Sequence, residues 1–122
     1  MLTLWSPGAG ILCSRAAGDL PEDLAPPYLA FLQQVTPTTT RLLSFNDFGQ
    51  VVNYQTTFRL RLTQAYVQIA ARTEAIHVLV GSRMVQLGVQ AASLVLRSIV
   101  SHGTQESFDA ALARVVAERG RR

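Results

Sequence analysis

Lysine is absent from this sequence and cysteine occurs once, at Cys13. A lone cysteine closes no internal disulfide, and no paired Cys/His spacing marks a zinc site, so neither a disulfide scaffold nor a metal-stapled fold is expected. Charged residues make up only 16% of the 122 positions, and all eleven basic residues are arginine, giving a formal charge of +3. Those arginines are scattered, apart from Arg119, Arg121 and Arg122 near the end. No element carries the clustered basic stripe with interleaved aromatics that a nucleic-acid binder needs. A glycine-rich phosphate loop is missing too, because residues 49–57 have neither GxGxxG nor GxxxxGK[ST] spacing. The start, Met1 to Trp5, lacks the basic and long apolar regions of a secretion signal, and Ser6-Pro7-Gly8 interrupts it at once. The longest apolar run, residues 84–96, contains two glutamines and falls short of the ~20 residues needed to span a bilayer. These absences imply a cytoplasmic chain with no membrane span, no nucleic-acid partner, no metal and no cofactor.

What remains is oily. Hydrophobic residues make up 48% of the chain and mean hydropathy is positive, enough for one core and not two. A single α/β domain over residues 1–118 with a basic tail over 119–122 is predicted. So apolar a surface on so short a chain implies cover by another subunit, hence a homo-oligomer.

Residues 76–118 speak most clearly. An apolar run at 76–80, a helix pattern, a second run at 98–102 and another helix pattern read as strand, helix, strand, helix. One helix-length crossover between two strands implies parallel neighbours. Ser82 is placed to cap the first of these helices, whose buried face is predicted as Met84, Leu87, Gly88, Ala91, Leu94 and Val95. Thr104 caps the second, with Phe108, Ala111, Leu112, Val115 and Val116 as its apolar stripe.

Upstream, LTLW and ILCSRA flank a Pro/Gly turn and predict an antiparallel hairpin, ended by Gly18-Asp19. Apolar residues from Leu20 to Val35 recur at helical spacing. Pro26-Pro27 predicts a short helical turn, a break and a second helix starting near Pro27. RLLSFN at 41–46 reads as a buried strand ended by Asp47-Phe48-Gly49. From Thr56 an amphipathic helix carries Phe58, Leu62, Ala65, Tyr66 and Ile69 inward and ends near Arg72.

No constellation in these elements names a reaction. Cys13 lies in an oily strand, where an inert buried thiol is the plainer reading. His77 opens its strand and His102 closes the next, so the two are expected at opposite rims, each a solitary structural residue. Open α/β sheets bind ligands beyond the carboxyl ends of their strands. That rim is predicted to carry Asn46, Asp47, Ser82, Arg83, His102 and Thr104. Ser82, Arg83 and Thr104 sit at helix starts, where exposed N–H groups hold anions or are merely capped. An enzyme on this rim would require Asp47, His102 and Arg83 to converge.

Laid out as hairpin, helix, strand, helix, strand, helix, strand, helix, the chain from about Thr3 to Val116 resembles a STAS-type domain, the group that includes anti-sigma-factor antagonists and SpoIIAA-like proteins. The most specific stretch is RLLSFNDFGQVVNYQTTFRLRL, similar to the family's strand, loop and helix start bearing an Asp-Ser-Ser-Gly or Asp-Ser-Thr-Gly motif. Matching that motif puts Gln55 at the aspartate, Thr56 and Thr57 at the hydroxyl pair, and Phe58 at the glycine. The resemblance implies a small mixed, mostly parallel sheet of about five strands flanked by about four helices. It also implies Thr57, then Thr56, as phosphoacceptor, and a non-enzymatic regulatory role. A partner protein would dock on residues 53–62 through Gln55, Thr56, Thr57 and Arg59. A small apolar-ligand or anion-binding domain is the alternative, since some relatives hold an apolar cavity between sheet and helices.

Overall fold

Each strand of this protein pairs only with its neighbours in sequence. The computed structural model describes residues 1–120, and its five-stranded sheet has the order β1-β2-β3-β4-β5. The strands are β1 (Leu2–Gly8), β2 (Ile11–Leu20), β3 (Leu42–Tyr54), β4 (Thr73–Val80) and β5 (Ile99–His102). The helices are α1 (Ala25–Val35), α2 (Thr56–Gln68), α3 (Arg83–Ser93) and α4 (Gln105–Gly120). β1 and β2 form the expected antiparallel hairpin, and every later pairing is parallel, with Ile76 of β4 opposite Ile99 of β5.

The sequential order determines the layers. Three crossovers step the same way across the sheet, so right-handedness lays α1, α2 and α3 on one face. α4 follows the last strand and covers the reverse face alone. Strand alternation then separates two cores. Leu12, Ala16, Leu42, Ile76 and Val78 meet Tyr28, Leu32, Phe58, Tyr66, Val85 and Leu96 on the three-helix face. Ile11, Cys13, Leu43, Phe45 and Leu79 meet Phe108 and Val115 of α4 on the other.

Several elements depart from the sequence reading. β2 runs through Gly18-Asp19 to Leu20, because Gly18 takes up φ +73° where the register against β3 slips, which makes a bulge and not an end. β3 continues past Asp47-Phe48-Gly49 to Tyr54. Beyond Phe48, the last residue paired with β4, its partner is β2 alone. A 3₁₀ turn at Glu22–Leu24 precedes α1, which starts at Ala25 with its prolines in the first turn, where a missing N–H costs nothing. α2 stops at Gln68 and a 3₁₀ turn covers Ala70–Arg72.

The largest departure is on α3. Its inward stripe is Val85, Gly88 and Ala92, followed by Leu96 just beyond the helix. Of the predicted face only Gly88 is buried, while Met84 is 41% exposed, Leu87 49%, Leu94 86% and Val95 62%. Arg83, Gln86, Gln90 and Ser93 make a polar strip on α3, but the apolar arc opposite is wider than the side that is buried, so spacing alone did not select its inner side. Gly88 fixes the phase, since a Cβ there would strike the Tyr54 hydroxyl and Arg59.

Arg119, expected to open a tail, lies in the last turn of α4. Its guanidinium donates to the carbonyls of Ala9 at 3.0 Å, Gly10 at 3.3 Å and Arg41 at 2.5 Å. Arg121 and Arg122 lie outside the described residues. Among the described residues no helix is long and apolar enough to cross a membrane.

Candidate functional site

The start of α2 follows directly from the end of β3. Gln55 is extended and occupies the N-cap position, with its backbone N–H donating to Leu20 O at 2.9 Å. Its side-chain oxygen turns away from the helix to accept from the Glu22 N–H at 2.6 Å, which fastens the turn before α1. Thr56 and Thr57 therefore fall inside the first turn, both exposed, and neither serves as the cap. Phe58, where the motif carries glycine, is buried in the core. Arg59 lies half-buried beside Gly88, so the four expected docking residues share one end of the three-helix face.

Between α2 and α3 the layer opens into a cavity of about 100 Å³. Its walls include Phe48, Val51, Phe58, Leu62, Val85 and Val89, with Arg59 and Thr63 from α2 among its lining residues. The β3 extension supplies Val51 and Tyr54, and the Tyr54 hydroxyl donates to the Met84 carbonyl at 3.1 Å, bridging β3 to the start of α3.

Asn46, Tyr28 and Tyr66 border the cavity and belong to a buried polar ring. Asn46 Nδ2 donates to Ser44 Oγ at 2.9 Å, and Tyr28 donates to Asn46 Oδ1 at 2.6 Å. The Ser44–Tyr66 and Tyr66–Tyr28 links, each 2.6 Å, complete it. With Tyr28 committed to Asn46, Tyr66 donates to Tyr28 and Ser44 to Tyr66, so all four bonds run in one direction. Ser14 adds a second donor to Asn46 Oδ1 at 2.7 Å. Burial raises the pKa of both tyrosines, Tyr28 most strongly, so the ring is neutral. The sequence reading missed this ring. Its signal was Ser44 and Asn46, two residues apart in the otherwise apolar opening of β3, Leu42 to Asn46.

The predicted rim does not assemble. Asn46 and Asp47 point to opposite faces, and Asn46 is spent in the ring. Asp47 lies on the α4 face, its Oδ2 accepting from Arg15 Nε and from Gln105 Nε2, each at 3.3 Å. Ser82 Oγ caps α3 by accepting from the Val85 N–H, and Thr104 Oγ1 caps α4 by accepting from the Ser107 N–H, both at 3.2 Å. Arg83 is exposed.

His77 and His102, expected apart, are in contact: His77 Nδ1 lies 2.8 Å from His102 Nε2. The parallel register explains it. His77 pairs with Val100 and Leu79 with His102, so the two imidazoles stand diagonally adjacent on one face. Phe45 stacks on His77 at 4.3 Å between centroids, Phe108 meets His102 edge-on at 5.7 Å, and His102 Nδ1 lies 2.7 Å from Ser107 Oγ. Burial, His102 and Arg114, in that order, push the His77 pKa down to about 4, and burial lowers that of His102. His102 also lines the open hollow beside Ser101 and Gln90. Among the described residues no three His, Cys, Asp or Glu side chains gather as a metal site. Cys13 is buried, its thiol pushed up to about 12 by burial.

The backbone is similar to the crystal structure of an uncharacterized DUF3478-family protein with a SpoIIAA-like fold from Shewanella loihica PV-4. The TM-score is 0.66 at 8% identity, over 88% of this chain and 90% of that one. No protein-family model and no curated protein matches the sequence. The chain thus has a SpoIIAA-like α/β fold, as expected.

Proposed function

We propose that this chain is a non-enzymatic, regulatory binding module of the STAS type that docks a partner protein through the start of α2 and the outer face of α3. The observation that carries this reading is the exposed apolar stripe of Met84, Leu87, Leu94 and Val95. Met84 and Leu87 lie on α3 and Leu94 and Val95 in the turn that follows it; leaving such large side chains in water has a cost that a partner surface or second copy removes. Gln55, Thr56, Thr57 and Arg59 border the same end, with Leu60 also exposed. Phosphorylation of Thr57 would add ~2 negative charges to this face and alter docking. Size-exclusion with light scattering, then capture by wild type, Thr57→Asp and Thr57→Ala, tests it. The Asp variant is expected to capture less than the Ala variant. Equal capture removes the switch, and a strict monomer without a partner removes the reading.

The cavity favours a second reading, a binder of small apolar molecules, because its walls are apolar and its polar neighbours are already hydrogen-bonded. Native mass spectrometry of the purified protein would show a retained adduct. Val89→Trp, which fills the cavity, would abolish it while leaving the α2 start unchanged.

A further inference from the structure

We propose that the His77–His102–Ser107 chain is an acid-sensitive latch that holds α4 on the sheet and releases it when the imidazoles take up protons. The contact between His77 Nδ1 and His102 Nε2 requires one nitrogen to donate and the other to accept. A doubly protonated pair would set N–H against N–H, and the 2.8 Å contact would become repulsive.

Among the described residues no carboxylate is in salt-bridge contact with either imidazole. From β3, Phe45 stacks on His77, while the Asp47 carboxylate is held by Arg15 of β2, Gln105 of α4 and the Gly49 N–H. From α4, Phe108 presents its ring edge to His102, and Arg114 is a like charge to His77. Asp109 is bonded to Gln105, and Glu106 is exposed in the first turn. His102 also sits at the positive end of the α4 dipole, which disfavours an imidazolium.

Among the described residues α4 is the one helix on this face, joined at its start through Ser107 and Gln105 and at its end through Arg119. Lifting it would return both imidazoles to water and to ordinary basicity. Protons then favour the lifted state, which bares Phe45 and Leu79. The depressed pKa values of both histidines agree in sign.

The molecule carries its own reporter. Trp5, the one tryptophan, packs against the core under α4. Hydrogen exchange and Trp5 emission would be followed from pH 7 to 4.5 on the full chain. If the His77 pKa moves from about 4 back to 6.5 on release, α4 opening rises roughly twentyfold between pH 7 and 5. Trp5 emission shifts to the red while amides of β2 and β3 stay protected. His77→Asn keeps an acceptor for His102 but does not titrate, and the rise should shrink to a few-fold. A flat α4 response to pH 4.5, loss of α4 only together with β2 and β3, or an undiminished rise in His77→Asn overturns the latch. Should that variant not fold, NMR titration of the two wild-type imidazoles decides. Protonation midpoints that coincide with α4 opening support the latch, and protonation without opening sinks it.

Discussion

The Tyr28 and Tyr66 hydroxyls, one from α1 and one from α2, stand 2.6 Å apart with their rings edge to face at 6.4 Å. The two helices that flank β3 are therefore joined by a buried hydrogen bond as well as by ring contact. Tyr66→Phe strands the Ser44 donor and the Tyr28 acceptor in a buried site, and is expected to cost about 1–3 kcal/mol. Tyr28→Phe leaves Asn46 Oδ1 still bonded to Ser14 and should cost less. Because both belong to one ring, the double variant should fall short of the sum of the singles in urea unfolding.

Stability is expected to drop in mild acid. The His77 pKa is about 4 in the folded protein against an ordinary 6.5, so the unfolded chain binds the extra proton between these values. The stabilisation is complete above pH 6.5 and lost as pH falls toward 4. Integrated over that window it amounts to about 3 kcal/mol, readable as a falling urea midpoint.

Gly88→Ala should disturb the mouth of the cavity. The added Cβ would collide with the Tyr54 hydroxyl and approach Arg59 Cδ to 3.1 Å, forcing Tyr54 off the Met84 carbonyl. Helix propensity gains ~1 kcal/mol from the exchange, and the steric conflict should outweigh it. A lower melting temperature in calorimetry is the expected result.

Cys13 should resist thiol reagents at pH 8, since it is both buried and held protonated. Arg119→Ala removes the ties from the last turn of α4 to three carbonyls and should speed labelling severalfold, because α4 covers the core that contains Cys13. Stopped-flow or spectrophotometric labelling of the two proteins would check it.

The order of elements and the parallel pairing of residues 76–80 with 98–102 were readable from apolar runs separated by helix-length segments. The ends of β2 and β3 were not, because Gly18 and Gly49 read as breaks, whereas one serves a bulge and the other lies within a continuing strand. The inner face of α3 escaped because two apolar stripes compete on it, and only contact with Tyr54 and Arg59 separates them. The histidines were misplaced because position along a strand was taken for position across strands, and register, which sequence does not print, brought them together.

Although each strand pairs with its neighbours in sequence, α4 runs back across the sheet and its Arg119 bonds the carbonyls of Ala9, Gly10 and Arg41, so the last helix closes on the first hairpin. Among the described residues β5 is left as an open parallel edge, whose unpaired backbone groups are a template for a strand from elsewhere.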